Sequence, residues 1–128
     1  MTTREDVRAF LDRLELPIEP VAEDMWLART DEGAELVVHY APPVLVLRVR
    51  VMPLPADKTQ AAELNRMLLE FNARDLVHGS YGIEGDHIVL TDALELTDLD
   101  YSEFEASVDS LSLALASHLS ALAPFGEK

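Results

Sequence analysis

The side chains best equipped for chemistry in this sequence are four histidines, His39, His78, His87 and His118. Their spacing contains no His-Glu-x-x-His pattern, and there is no cysteine to complete a thiolate site or serve as a nucleophile. Three of them read as strand residues and His118 as a helix residue, each a single surface or partly buried imidazole. Asp98-Leu99-Asp100 opens like a calcium loop, but Glu103 and Asp109 stand where such a loop needs its glycine and its twelfth-position glutamate. That stretch reads instead as a turn followed by a helix cap. Gly79-Ser80-Tyr81-Gly82 lacks the glycines two residues to either side of the serine that a nucleophile elbow requires, and no phosphate-cradling GxxxxGK[ST] loop occurs. The carboxylates read as solvated charge. The expectation is a protein with no catalytic residues, no metal and no cofactor.

The elements that would position these residues follow from periodicity. Thr3 with Asp6 caps a first helix carrying Val7, Phe10, Leu11 and Leu14 on one face, stopped by Pro17. Period-two patterning then gives Met25 to Thr30, a turn at Asp31-Glu32-Gly33, and Glu35 to Tyr40. After the break at Pro42-Pro43 a third strand runs from Val44 to Val51. In that strand Leu45, Leu47, Val49 and Val51 form an apolar row facing the core; the opposite row begins with Val44 and Val46 and ends in Arg48 and Arg50. Asp57 and Gln60 start a second helix reaching about Ala73, with Ala61, Leu64, Met67, Leu68 and Phe71 inward. Leu69 falls on the far side with Ala62 and Ala73. A second hairpin sets Val77, Tyr81 and Ile83 against Ile88 and Leu90 across Glu84-Gly85-Asp86. The last helix, capped by Asp100 with Glu103, carries a core stripe of Phe104, Val108, Leu111, Leu115, Leu119 and Leu122. On its other sides Ala106, Leu113, Ala116 and Ser117 suit close approach of another surface, although helix propensity accounts for the alanines equally well. The order is α-β-β-β-α-β-β-α, an α+β fold with an antiparallel sheet packed against helices. It reads as one domain over residues 1–128, with 124–128 a loose tail.

Charge narrows the partners. The 128 residues hold 24 Asp and Glu against 10 Lys and Arg, a formal net charge of −14. The basic residues are scattered, which argues against nucleic acid, and the negative field repels anionic membranes. The charged N-terminus has no signal-peptide core, and no apolar run reaches the length of a membrane span. A soluble, cytoplasmic protein is expected.

Four segments carry a family likeness: Leu68-Leu69-Glu70-Phe71-Asn72-Ala73, then Val77-His78-Gly79-Ser80-Tyr81-Gly82-Ile83, Ile88-Val89-Leu90, and Leu94-Glu95-Leu96-Thr97-Asp98-Leu99-Asp100. They resemble the YbjN-like proteins and, more distantly, class I type III secretion chaperones of the CesT/Tir type. The resemblance implies the α-β-β-β-α-β-β-α fold, a homodimer, and no catalytic residues. In the chaperone branch it implies a partner segment held against apolar patches of the first helix and the sheet; in the YbjN-like branch it implies a sensory or regulatory role.

Together these readings give a non-catalytic protein-binding module, chaperone-like or adaptor, with an unidentified protein partner. The alternative is a regulator of the YbjN type that binds a small ligand. Candidate partner-binding residues are Phe10, Leu14, Trp26, Val44 and Val46. Ala62, Leu69 and Ala73 are the candidate homodimer interface.

Overall fold

The computed structural model describes residues 1–31 and 33–126, so Glu32 of the expected turn and Glu127 and Lys128 of the expected tail lie outside the described residues. Helix α1 spans Arg4–Arg13. The Thr3 hydroxyl accepts from the Asp6 N–H at 3.2 Å while the Asp6 carboxylate accepts from the Thr3 N–H at 2.9 Å, satisfying two donors that a helix start leaves open. These bonds favour the ionised form and hold the Asp6 carboxyl below its ordinary value. Just upstream, Thr2 donates its N–H to the Leu96 carbonyl and its hydroxyl to that of Leu99, both at 2.9 Å. The chain's start is thereby tied to the lead into the last helix.

Six strands follow: β1 Ile18–Ala22, β2 Met25–Arg29, β3 Glu35–Ala41 and β4 Val44–Pro53, then β5 Ser80–Glu84 and β6 His87–Glu95. Helix α2, Lys58–Arg74, separates the two groups, and α3, Tyr101–Leu122, closes the fold. The strands form one antiparallel sheet in the order β1-β2-β3-β4-β6-β5. The α+β architecture is as the sequence predicts, with one strand more. Strand β1 contains Pro20, which argues against a ladder position; it is tolerated because β1 is an edge strand whose register breaks between Pro20 and Ala22.

Three further expectations are corrected. Val77 and His78 are not strand residues: β5 begins only at Ser80, and Val77 lies in the connection from α2 with 86% of its surface exposed. Leu119 is not in the core stripe of α3, where it is 65% exposed; His118, one residue earlier, is buried in its place. Finally, the expectation that no apolar run reaches the length of a membrane span does not hold for Tyr101–Phe125, which is long and apolar enough by length and composition alone. Here that helix buries Phe104, Val108, Leu111 and Leu122 against the sheet. Residues Ala123–Phe125 form a 3₁₀ turn, and Phe125 packs against the core.

The core fills one face of the sheet. Val38 pairs with Leu47 and Leu36 with Val49, so Leu36, Val38, Leu45, Leu47 and Val49 share that side, together with Trp26 and Ala28 of β2. Val7 and Leu11 of α1, Leu64 and Leu68 of α2, and Phe104, Val108 and Leu111 of α3 close over them. Burying such side chains is worth roughly 1.5–3 kcal/mol each, the dominant favourable contribution to the fold.

Candidate functional site

The other face of the sheet is different in kind. Alternation places Met25 and Leu27 of β2, Val37 and His39 of β3, and Val44, Val46, Arg48 and Arg50 of β4 there, with Val89, Thr91 and Ala93 of β6 continuing the surface. Met25, Leu27, Val37, Val44 and Val46 are only half-buried, and none of them belongs to the hydrophobic core or packs against it. An antiparallel sheet with one uncovered side normally turns polar residues outward. Here the uncovered side keeps five large apolar side chains across three neighbouring strands.

The five candidate partner-binding residues do not converge. Val44 and Val46 lie on this open face, opposite Ala41 and His39. Phe10, Leu14 and Trp26 lie on the helical side. The Phe10 ring stacks on Phe104 at 5.8 Å and meets the edge of Tyr101 at 5.9 Å, and Leu14 packs against the core. Trp26 is 8% exposed, at the floor of a cleft of about 450 Å³ between α1 and β1 whose rim carries Arg4, Arg8 and Asp24. The candidates therefore divide between two surfaces on opposite sides of the sheet.

Leu69, by contrast, stands where its helical phase predicts, 67% exposed on α2 with Ala62 and Ala73 also exposed. Beside it a notch of about 300 Å³ opens between α2 and β5, lined by Leu68, Leu69, Gly82 and Ile83 with Asn65 and Asn72.

A polar cluster that the sequence did not reveal joins α2, β5 and α3. The His118 ring lies flat on Phe71, 3.7 Å away and inclined by 5°. Its Nδ1 is 2.7 Å from the Tyr81 hydroxyl, and its Nε2 is 3.0 Å from the Asp75 carboxylate at the end of α2. With the Tyr81 hydroxyl donating to Nδ1, Nε2 carries the proton given to Asp75. Burial, reinforced by the nearby Asp75 charge, pushes the Tyr81 phenol up to about 12. A phenol so hard to ionise is a hydrogen-bond donor, and the cluster works as a clasp between elements. The three residues are 37 and 43 positions apart in pairs, which no local motif can signal. His118 and Asp75 line a shallow cleft of about 710 Å³ with Val77 and Leu113 at its rim. Among the described residues no group of three or more His, Asp or Glu side chains is placed to hold a metal ion.

Known proteins bear on this arrangement at the level of fold. No curated protein matches the sequence. The structure of YbjN from E. coli superposes with a TM-score of 0.69 at 12% identity, covering 93% of each chain. A second structure, the heterodimeric ExoU–SpcU complex of the Pseudomonas aeruginosa type III secretion system, gives 0.69 at 18% identity over 93% of this chain and 96% of the other. The Yersinia pestis type III secretion chaperone SycH, solved with a fragment of YscM2, gives 0.64 at 17% identity over 90% and 98%. At these identities the likeness establishes the type III secretion chaperone-like fold. The sequence itself matches the CesT_Tir_1 family model over residues 1–128, and the chain belongs to the CesT/Tir chaperone family.

Proposed function

We propose that this protein is a non-catalytic, chaperone-like binding module that acts in the cytoplasm as a homodimer and holds an extended partner segment on its open sheet face. The observation that carries the reading is the uncovered apolar surface formed by Met25, Leu27, Val37, Val44 and Val46. Such a surface is hydrated at a cost and gains by being covered. Solved structures of the same fold are complexes with a second protein, as in the SycH chaperone with its YscM2 fragment and the ExoU–SpcU heterodimer, which supports the same use here. The outward Leu69 stripe of α2 is the proposed dimer contact, because it is the apolar part of that helix which the core leaves free.

The test is affinity capture of native complexes from the source cells at low salt, comparing the unmodified protein with Val44→Glu/Val46→Glu. Light scattering records the mass of each. A dominant co-purifying protein that is lost with the double variant supports the reading. A clean dimer with no protein partner counts against it and moves the search to the small-ligand alternative, for which the notch beside Leu69 is the first place to look.

A further inference from the structure

The outward row of β4 is polarised along its length. It starts with Val44 and Val46 and ends with two arginines on the same face, Arg48 and Arg50, about 6.6 Å apart along the strand. Their cross-strand neighbours Val37, Thr91 and Val89 carry no charge. The carboxylates at this end leave one of the two cations, Arg50, without a partner among the described residues. Glu35 is engaged by Arg29 at 3.5 Å, and Arg29 also reaches Glu19 at 3.5 Å. Arg48 Nη1 lies 3.7 Å from the Glu84 carboxylate, an ion pair between two side chains that are both more than a third exposed. Arg48 Nε is buried with no partner, and Arg50 makes no ion pair among the described residues. With Arg50 unpaired and Arg48 held only by an exposed ion pair, this end of the face has more cationic than anionic groups to offer.

We propose that the segment held on this face carries an acidic side chain, whose carboxylate bridges Arg48 and Arg50 while apolar residues of the same segment cover Val44 and Val46. The inference rests on the open-face reading above and adds to it the partner's chemistry and its direction along β4. Side chains on one side of an extended segment recur every two residues, so the acidic residue stands two to four positions from the apolar pair. The net charge of −14 points the other way, towards a basic partner. At close range the two arginines decide, because charges beyond about 8 Å are screened at physiological ionic strength while a guanidinium–carboxylate contact is not.

The experiment is selection of a random linear peptide library on the immobilised full-length protein, with sequencing of the recovered peptides. The baits are the unmodified chain, Arg48→Gln/Arg50→Gln, Arg48→Lys/Arg50→Lys and Val46→Glu, each first shown to be folded by its thermal transition. Recovery of peptides with Asp or Glu two to four positions from an apolar pair, enriched about tenfold over the library and reduced to background by the Gln variant, is the expected result. The Lys variant should retain part of that enrichment. Recovery of neutral or basic peptides, equally on the unmodified and Gln baits and lost on Val46→Glu, overturns this inference and leaves the open-face reading standing. Recovery unaffected by Val46→Glu, or no recovery at all, overturns both.

Discussion

The carboxamide of Asn72 spans the backbone of Tyr81, its Oδ1 accepting the Tyr81 N–H at 2.7 Å and its Nδ2 donating to the Tyr81 carbonyl at 3.2 Å. Strand β5 is the edge of the sheet, so these two backbone groups face away from β6 and have no strand to pair with. One side chain of α2 thus takes the place of a neighbouring strand, and a sheet edge that could recruit another chain is closed at that point.

Asn72→Leu keeps the branched shape, with somewhat more bulk, and removes both partners. We expect a loss of about 1–3 kcal/mol in denaturant unfolding and faster hydrogen exchange at the Tyr81 amide. Asn72→Asp retains the acceptor and should slow that amide relative to Leu. Equal exchange at Tyr81 in all three proteins would show that the carboxamide does not close the edge.

The Tyr81–His118 contact gives a prediction in pH. Because burial raises the Tyr81 phenol from 10.0 to about 12, its contribution is intact below pH 10 and is lost as the pH rises through about 12. Two pH units correspond to at most about 3 kcal/mol, and partial solvent access reduces that. Tyr81→Phe should flatten the alkaline limb of the stability curve, read as the unfolding midpoint against pH. An unchanged limb would place the transition elsewhere. His118→Ala should cost more, about 2–4 kcal/mol at neutral pH, because it strips the stack on Phe71 and leaves the Tyr81 hydroxyl unpaired.

Gly79 and Gly85 both have positive φ, +80° and +62°, yet their surroundings differ. A Cβ on Gly79 would meet the Thr91 carbonyl oxygen at 2.6 Å and a Leu111 methyl at 2.8 Å, whereas one on Gly85 has open space. Asparagine tolerates the left-handed region, so Gly85→Asn should shift the melting temperature little. Gly79→Asn adds a clash with backbone and should cost several kcal/mol or prevent folding. Similar losses at both sites would mean that conformation alone, not contact, sets the cost at Gly79.

The contrast between what could and could not be read from the sequence follows the range of each signal. The caps at Thr3, Asp57 and Asp100 are local and lie where their neighbours three residues on predict. The two rows of β4 follow from strict alternation, which sets Val44 and Val46 off the core in sequence and structure alike. Strand β1 escaped because Pro20 contradicts a strand unless one knows it is at the edge. Helical phase alone puts Leu119 in the core, but phase does not say which inward position a buried imidazole occupies; His118 holds it through partners on β5 and at the end of α2. The family resemblance offers the first helix and the sheet alike as partner surface, and only the register shows that the sheet lies between Phe10 and Trp26 on one side and Val44 and Val46 on the other.

The outward position of Leu69 makes the proposed homodimer testable at one residue. An apolar side chain 67% exposed, beside an apolar notch that contains the half-exposed Ile83, gains by burial against a second copy. Leu69→Glu leaves the monomer's core untouched, since Leu64 and Leu68 make the inward contacts of α2. It sets a charge against its own symmetry mate in any two-fold contact through this stripe, and the chain's excess of acidic residues adds to the repulsion. Sedimentation should show the variant as a monomer with an unchanged thermal transition once the dimer contribution is allowed for. Leu69→Ala, which only trims the contact, should weaken association by about tenfold or more. A Leu69→Glu protein that stays stable and fully dimeric would place the interface on another surface, with the exposed Leu113 side of α3 the next to be mutated.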